Sequence, residues 1–301
     1  MQVFVTGATG LVGRAVCAAL LEKGHLVTAL SRAAGASARL PAGARVVAGD
    51  PGSPGAWQDE LARCDACVHL AGESIADGRW NAERKRRIRE SRVRSTENVA
   101  AVLRERGPAV LVSGSAVGFY GSRGDETLDE ASSPGKDFLA EACREWEAAA
   151  APAAARARVV LLRSGIVLAP HGGAFPRLVR PFRLLAGGPL GDGAFWQPWI
   201  HLADEVGLVL FALGEPRARG PMNAAAPGPV RNRELARAIG KVLRRPSALP
   251  APLFAVKLAL GGELASVVLA SQRVLPQKAL ELGYRFRFPG IEAALRDLLN
   301  R

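Results

Sequence analysis

Three glycines near the start of the chain constrain its fold more than any other feature. Within VFVTGATGLVG, Gly7, Gly10 and Gly13 form a GxxGxxG pattern between a strand-like apolar run and an amphipathic segment. In that context the glycines permit a tight turn, a close approach of the backbone to a pyrophosphate, and close packing of the helix on the strand. The alternative is a merely structural turn. The pattern favours a dinucleotide site that comprises Gly7, Thr9, Gly10, Leu11, Val12 and Gly13.

The first half of the chain alternates between short apolar runs and helix-period segments, which is the pattern of a parallel sheet covered by helices. We predict strands at 2–6, 26–30, 45–48, 66–71, 109–114 and 158–163. We predict helices between them at about 11–23, 54–63, 81–106 and 135–151. Because crossovers between parallel strands are right-handed almost without exception, these elements predict an α/β fold with a doubly wound NAD(P)-binding Rossmann sheet.

The alternation ends after Arg163. Residues 172–201 are rich in Gly, Pro and aromatic side chains, and short amphipathic helices separated by Pro and Gly follow them. We therefore predict two domains: residues 1–165, whose sheet is completed by later segments, and residues 166–301, a smaller lobe on the substrate side. Ligands of open α/β sheets bind at the carboxyl edge of the strands, so we expect the lobe to lean over that edge.

Sequence composition predicts a cytoplasmic protein. No window approaches about 18 consecutive apolar residues, and Met1 leads directly into a strand without a basic, cleavable leader. Four cysteines in 301 residues are too few for a disulfide scaffold, which agrees with a reducing compartment. Cys64 and Cys67 have CxxC spacing, but His69 is the only further candidate ligand nearby, so we expect no metal.

The net charge of +12 is concentrated in one segment. Between Arg79 and Arg106 there are ten Lys or Arg residues against four Asp or Glu, within a single predicted helix. A nucleic-acid groove is one interpretation, and a solvated helix face is the other. We favour the solvated face because no aromatic residue beyond Trp80 interleaves with the cations. We therefore expect a small-molecule substrate and neither nucleic acid nor a membrane as a partner.

The end of the second predicted strand discriminates between the two nicotinamide dinucleotides. An acidic residue there would bind a ribose 2′-hydroxyl, but the strand ends in Ser31 and Arg32, and no Asp or Glu occurs from Lys23 to Gly49. A guanidinium suits a 2′-phosphate, so the sequence favours NADP over NAD. Asp50, after the third strand, is placed either to reach the adenine side or to cap the following turn.

Arg92 lies on the apolar stripe of the long helix, with Ile88, Thr96, Val99 and Leu103 at spacings of three and four. An inward guanidinium needs an anion, which is either a carboxylate distant in sequence or the phosphates of the cofactor. We favour the cofactor, because this helix follows the HLAGE loop, which borders the nicotinamide half of the crevice and contains Leu70, Ala71 and Gly72.

Several further stretches carry a resemblance to a known family. VHLAGESIADGRW, SGSAVGFYG, LLRSGIVLAP, GGPLGDGAFWQPWIHLADEV and LASQRVLPQKALELGYRF, together with the glycine motif, resemble the atypical short-chain dehydrogenase/reductases of the sugar-nucleotide-epimerase-like family. The resemblance covers almost the whole chain. It implies an NADP(H)-binding extended Rossmann fold, a C-terminal domain of unknown function at about 248–297, and cofactor contacts at Ser31, Arg32, Leu70, Ala71, Arg92 and Val167.

The chain departs from the wider superfamily at the catalytic pair. That superfamily uses a Tyr and a Lys four residues apart, and the lysine lowers the tyrosine pKa. Here the corresponding segment, SPGKDFLAEACREWEAA, offers Phe138 with Ala142 or Leu139 with Cys143. Ser115 and Tyr120 are the polar candidates left near the nicotinamide, although a buried Tyr with a backbone hydrogen-bond partner is the structural alternative.

The loop LAGGPLGDGAFWQPWIHLADE is the predicted floor of the substrate site. Trp196 and Trp199 offer flat apolar surface, and His201 and Asp204 are either polar anchors or a hydrogen-bonded pair that caps a helix. Together these features predict an NADP(H)-dependent oxidoreductase or epimerase acting on a small polar molecule. The alternative is a non-catalytic module that binds NADP(H) and senses its redox state.

Overall fold

A parallel seven-stranded sheet forms the centre of the molecule. The computed structural model describes residues 1–32, 35–76, 78 and 80–300. Its strands are β1 Gln2–Thr6, β2 Leu26–Ser31, β3 Arg45–Ala48, β4 Ala66–His69, β5 Val110–Ala116, β6 Thr127–Leu128, β7 Arg158–Ser164, β8 Ile166–Ala169, β9 Gly172–Gly173, β10 Trp196–Gln197, β11 Trp199–His201, β12 Gly220–Ala224, β13 Val230–Arg231 and β14 Arg273–Val274. Its helices are α1 Leu11–Glu22, α2 Trp57–Ala62, α3 Ala82–Glu105, α4 Phe138–Ala150, α5 Phe175–Arg183, α6 Leu202–Gly214, α7 Asn232–Leu243, α8 Leu253–Leu260, α9 Gly262–Val268, α10 Gln277–Glu281 and α11 Ile291–Leu299.

The order of the central sheet is β12-β7-β5-β4-β1-β2-β3, and every neighbouring pair is parallel. The predicted doubly wound fold and all six predicted strands are confirmed. The predicted helix at 135–151 begins at Phe138, because the Asp137 side chain accepts a hydrogen bond from Ala140 N–H and caps the helix there. The carboxyl ends of the parallel strands thus share one edge of the sheet.

The edge strand β12 was not predicted. Its sequence, GPMNA, has neither alternation nor β-branched residues, and its proline is tolerated because the strand pairs only with β7. The strand lies beyond residue 165, so the predicted second domain completes the sheet of the first. Helix α6 extends this contribution, since its side chains join the same core as those of α1.

Both faces of the sheet are buried. Successive residues of a strand point to opposite faces, so Val3 and Val5 pack under α1 and α6, while Phe4 packs against Trp57 on the other face. The side chains of Val3, Phe4 and Val5 are all fully buried. The near-continuous apolar runs that predicted the strands are therefore those of a sheet covered on both sides.

His201 and Asp204 attach the C-terminal segment to this sheet. His201 Nδ1 accepts from Ala203 N–H at 3.0 Å and caps α6, while its Nε2 contacts the Asp297 carboxylate at 3.2 Å. The Asp204 carboxylate accepts from the backbone N–H groups of Arg287 and Phe288 at 2.7 and 2.9 Å. The helix cap at α6 agrees with one of the two predicted roles. The predicted hydrogen bond between His201 and Asp204 is replaced by contacts of both residues with the C-terminal segment.

The four cysteines are buried free thiols. Burial raises the pKa of Cys64 to about 11 and that of Cys17 to about 12, so the thiol form dominates at neutral pH. Among residues 1–32, 35–76, 78 and 80–300, no group of His, Cys, Asp or Glu is arranged to hold a metal ion. Within the same residues, no helix combines the length and apolar character needed to cross a membrane.

Glu205 is a buried carboxyl group in the core beneath α6. It is 1% exposed, and Ser164 Oγ lies 2.5 Å from its Oε1. Its Oε2 is buried and has no hydrogen-bond partner in the described part of the chain. Burial raises the pKa of Glu205 from 4.5 to about 7, since the charged form loses its hydration.

We expect Glu205→Gln to remove a pH dependence of stability. Because the folded state raises this pKa, its contribution to stability is complete below about pH 4.5 and is lost as pH rises through about 7. Between about pH 5 and about pH 8 the wild type should lose about 3 kcal/mol of unfolding free energy relative to the variant. Urea unfolding of both proteins at both pH values measures this loss. If wild type and variant differ in unfolding free energy by the same amount at the two pH values, the expectation is contradicted.

Candidate functional site

The turn between β1 and α1 is built from backbone contacts that exclude side chains. Gly7 has a φ of 65°, and a Cβ there would lie 2.5 Å from the Leu70 carbonyl oxygen. A Cβ at Gly13 would lie 2.2 Å from the Gly7 carbonyl oxygen, and Gly10 N–H donates to the same oxygen at 2.9 Å. These neighbours are backbone atoms that cannot swing aside, so the turn requires glycine at 7 and 13.

The N-terminus of α1 is open at the carboxyl edge of the sheet. Its N-cap is Gly10, no side chain caps the helix, and the first turn contains no acidic residue. The N–H groups of Leu11, Val12 and Gly13 therefore have neither a helical nor a capping acceptor among the described residues, and the first helical hydrogen bond runs from Arg14 N–H to Gly10 O at 3.0 Å. Together with the positive end of the helix dipole they form an anion site, which brings together the predicted residues 7–13.

Val167 lies beside this helix start. It is on β8, and a Cβ at Gly173 on the neighbouring β9 would lie 3.1 Å from Leu11 Cδ2 and 3.5 Å from the Val167 carbonyl oxygen. The structure thus places the predicted contact Val167 next to the predicted contact Leu11, although they are far apart in sequence.

The end of β2 presents a free cation. Ser31 is the last residue of the strand and is 8% exposed, whereas Arg32 is exposed and forms no ion pair within the described part of the chain. Asp50 Oδ1 accepts from Gly52 N–H at 2.9 Å, which is the turn cap that the sequence offered as one of two roles. The adenine-side role of Asp50 stays a prediction.

A buried histidine holds the loop after β4. His69 Nδ1 lies 2.7 Å from Thr6 Oγ1, and its Nε2 lies 3.0 Å from Thr96 Oγ1. The Thr96 hydroxyl donates to the Arg92 carbonyl oxygen, so it accepts from His69 Nε2–H, and Nδ1 accepts from Thr6. Burial lowers the His69 pKa to about 4, which keeps the ring neutral. Thr6 Oγ1 also accepts from Ala71 N–H at 3.3 Å, so this network positions residues 70–72.

Arg92 reaches that same loop. Its Cζ would lie 3.3 Å from a Cβ at Gly72 and lies 5.1 Å from the Trp146 ring, while its Nη1 donates to the Ile88 carbonyl oxygen at 2.9 Å. Burial lowers the Arg92 pKa. In the part of the chain that the structure describes, no carboxylate forms an ion pair with Arg92. The sequence offered two partners for Arg92, a carboxylate distant in sequence or the cofactor phosphates. The described residues contain no such carboxylate partner.

The other cations of α3 are largely paired. The pairs include Lys85–Glu263, Arg86–Glu83, Arg89–Glu145, Arg84–Glu73 and Arg106–Asp59. Arg79, which opens the basic segment, lies outside the described residues. Such pairing is the arrangement of a solvated helix face, and the absence of a nucleic-acid partner stays a prediction.

Ser115 belongs to a buried polar network. It is 4% exposed on β5, and its hydroxyl donates to Glu147 Oε1 at 2.7 Å. Arg163 on β7 donates to both oxygens of the same carboxylate, from Nε at 2.7 Å and from Nη2 at 2.8 Å. The two charged side chains are 3% and 10% exposed, so the pair is desolvated and bidentate. Neither Glu147 nor Arg163 was among the predicted site residues, although an arginine inside an apolar strand is a signal visible in the sequence.

Tyr120 is fully buried in this network. Its hydroxyl donates to Asn223 Oδ1 at 2.7 Å and accepts from Arg163 Nη1 at 3.0 Å. Burial raises the Tyr120 pKa to about 12. The geometry matches the structural alternative, except that the partners are side chains rather than backbone groups, and it offers no support for Tyr120 as a proton donor.

The segment expected to carry the catalytic pair lies on α4. Phe138 packs edge-on against Trp80 at 5.6 Å, and Cys143 is 4% exposed with its pKa raised to about 12 by burial. The acid of this helix that reaches the carboxyl edge of the sheet is Glu147, one turn beyond Cys143.

The predicted substrate floor divides into a buried part and an accessible part. Trp199 is 1% exposed and its Nε1 donates to Gly228 O at 3.0 Å, so its assignment to the floor is wrong. The reason is that β11 pairs with β8 and turns this side chain into the core. Trp196 is partly exposed, with Arg231 and Arg273 at 4.5 and 4.9 Å from its ring.

Family models match two stretches of the chain. The model described as the NAD dependent epimerase/dehydratase family matches residues 3–225, and the model of a domain of unknown function matches residues 251–298. The predicted resemblance is therefore confirmed.

Curated relatives match over nearly the full chain. It is 43% identical to the epimerase family protein SDR39U1 homolog, chloroplastic, of Arabidopsis thaliana, over 100% of this chain and 87% of that protein. It is 34% identical to the epimerase family protein YfhF of Bacillus subtilis, over 99% and 98% of the two chains.

Solved structures extend the comparison. The crystal structure of human epimerase family protein SDR39U1 (isoform 2) with NADPH has a TM-score of 0.89 and 33% identity, with both chains fully covered. The UDP-glucuronic acid 4-epimerase from Bacillus cereus, in complex with UDP-glucuronic acid and NAD, has a TM-score of 0.81 at 16% identity, which shows the shared fold alone.

We expect Glu147→Gln to lower the free energy of unfolding by about 3–5 kcal/mol, because it leaves the buried Arg163 guanidinium without its counter-charge. Glu145→Gln is the matched control on the same helix, since it removes an ion pair with Arg89 whose side chains are 37% and 54% exposed. That loss should be below about 1 kcal/mol. Urea denaturation measures both, and equal losses would show that burial does not govern the Glu147 pair.

Proposed function

This chain belongs to the NAD dependent epimerase/dehydratase family, and on that premise we propose that it binds NADP(H) and catalyses hydride transfer to or from a small polar carbonyl or alcohol substrate. The four cysteines are unpaired thiols, which supports a cytoplasmic site of action.

The observation that carries the proposal is the pair of anion-binding features at one edge of the sheet. The uncapped, acid-free start of α1 would hold the pyrophosphate, and Arg32 at the end of β2, which forms no ion pair with any described residue, would hold the 2′-phosphate. A Cβ at Gly7 or Gly13 would clash with the backbone of Leu70 or of Gly7, so only glycine permits the tight turn that presents the start of α1 to a dinucleotide. The human relative that was crystallised with NADPH supports the choice of cofactor.

The proposed chemistry divides between cofactor and protein. When bound, NADP(H) supplies or accepts the hydride. The protein must then hold the substrate oxygen and move its proton. Helix α4 presents Phe138 with Ala142, or Leu139 with Cys143, where the wider superfamily has its Tyr and Lys, so the proton path has to use other groups.

Ser115 and Glu147 supply that path in the proposal. The Ser115 hydroxyl already donates to Glu147, so its oxygen lone pairs remain available to a substrate hydroxyl. In the oxidative direction the substrate hydroxyl gives its proton to Ser115 Oγ, while Ser115 gives its own proton to the Glu147 carboxylate. Reduction runs the same path backwards. Arg163 is a positioning residue that orients the carboxylate through two hydrogen bonds.

The second candidate is a non-catalytic NADP(H)-binding module that responds to redox state. It is favoured by the state of Tyr120, whose hydroxyl is buried and hydrogen-bonded to two side chains and is therefore not free to act as a proton donor. This candidate requires different affinities for NADPH and NADP, because a ligand shifts a conformation only through differential binding.

We expect Arg32→Ala to weaken NADPH binding about tenfold or more while leaving NADH binding unchanged, because a charge-assisted contact to the 2′-phosphate is lost. Fluorescence titration of both reduced dinucleotides measures the effect. Arg63→Ala is the control, since Arg63 precedes β4 at the opposite edge of the sheet. Equal losses for NADPH and NADH, or no loss at all, would contradict the assignment of Arg32.

We expect wild-type protein to oxidise NADPH with at least one member of a panel of sugars, aldehydes, ketones and quinones. Ser115→Ala should slow that turnover about a hundredfold without changing NADPH affinity, because it interrupts the proton path. Ser53→Ala, at an exposed turn, should match the wild type. Tight NADPH binding with no turnover on any compound would reject hydride transfer in favour of the second candidate, provided that NADPH and NADP differ in affinity.

A further inference from the structure

Exposed apolar side chains are concentrated in one part of the molecule. Nine large apolar residues are exposed in the described part of the chain, and six of them fall in two segments. We call these six the apolar patch: Leu184, Leu185, Leu249, Leu253, Phe254 and Leu258. Scattered single leucines are normal on a protein surface, whereas a cluster of this size marks an interaction site.

The two segments lie side by side. Ala251 N–H donates to the Pro189 carbonyl oxygen at 2.8 Å, and Gly191 N–H donates to the Ala251 carbonyl oxygen at 2.9 Å. A Cβ at Gly188 would lie 1.8 Å from the Leu249 carbonyl oxygen, and one at Gly191 would lie 2.8 Å from Leu253 Cδ2. Residues 188–191, which follow α5 and Leu185, therefore lie directly against residues 249–253 at the start of α8.

The stretches of sequence that carry this patch contain cations but no acids, which begin again at Asp192 and Glu263. Residues 148–191 and 235–262 contain no Asp or Glu. The exposed cations of these stretches include Arg180, Arg183, Arg244, Arg245 and Lys257. None of these five side chains forms an ion pair within the described part of the chain, which contrasts with the paired cations of α3.

The shape and charge of the apolar patch favour a lipid bilayer over a peptide or a second copy of the chain as its binding partner. Leu184 is 67% exposed and Phe254 is 74% exposed, so these side chains protrude rather than line a groove that a peptide would fill. A second copy of the chain would bring like charges together, which is unfavourable at an interface. Protruding Leu and Phe beside Arg and Lys are the combination that inserts into the headgroup region of an anionic bilayer, where long cationic side chains reach the lipid phosphates.

We propose that the apolar patch docks the protein on the surface of an anionic lipid bilayer. Residues 253–260 form the helix that lies on the interface, with Phe254 and Leu258 one turn apart on the same side. This revises the expectation, made from the sequence, that a membrane is not a partner. The proposal does not depend on the cofactor or on hydride transfer.

Vesicle co-sedimentation tests the proposal with the full chain and no added cofactor. We expect binding to vesicles of phosphatidylglycerol and phosphatidylcholine, and at least about tenfold weaker binding to phosphatidylcholine alone. Raising the salt concentration to about 0.5 M should weaken the binding to anionic vesicles about tenfold.

Leu184→Ser combined with Phe254→Ser should also reduce binding to the anionic vesicles about tenfold, because one apolar anchor is lost from each segment. Leu26→Ser, which changes a 69% exposed leucine outside the patch, should bind as the wild type does. Unchanged thermal melts would show that both variants are folded.

Several outcomes would overturn the proposal. These are no binding to anionic vesicles, equal binding to neutral vesicles, or equal losses in Leu26→Ser and the double variant. Sedimentation velocity tests whether a second copy of the chain binds the apolar patch instead. If the wild type is a dimer and the double variant is a monomer, the patch is a dimer interface and not a lipid-binding surface.

Discussion

The close approach of two backbone segments, the turn after β1 and the loop after β4, is the constraint on which the candidate site depends. Gly7 can pack against the Leu70 carbonyl only without a side chain, and Gly13 packs in the same way against Gly7. This contact brings the open end of α1 next to residues 70–72, which the neutral His69 holds through Thr6 and Thr96. Arg92 then reaches the same loop from α3. The arrangement of these groups at one edge of the sheet results from packing, with little contribution from local propensity.

A second, charged interaction organises the other half of the site. The Glu147–Arg163 pair joins α4 to β7 and connects Ser115 on β5 with Tyr120 and Asn223. A buried ion pair is weak evidence for stability, because desolvation offsets most of its Coulomb energy. Its position at the carboxyl edge of the sheet, with one oxygen on Ser115, is better explained by the proton chemistry of the proposed reaction.

The cations of this protein lie in two different environments, one in which carboxylates pair with them and one in which they do not. On α3 the cations are numerous, but carboxylates from α4, α9 and the preceding loop neutralise many of them. Near the apolar patch in sequence the five cations named above lack such partners among the described residues. The density of Lys and Arg in the sequence therefore does not by itself locate a surface for an anionic partner, because pairing depends on acids that are distant along the chain.

The sequence alone determined the six-strand core of the sheet, the dinucleotide turn and the family. Each has a local signal: apolar runs of strand length, glycines at fixed spacing, and motifs that need no knowledge of contacts. Only the tertiary structure decided that GPMNA is the seventh strand, that Trp199 is core, and that Glu147 and Arg163 meet at Ser115. It alone showed that Leu253, Phe254 and Leu258 at α8 are exposed. The physical reason is that pairing, burial and exposure are set by segments distant along the chain, and local periodicity carries no record of which segments will meet.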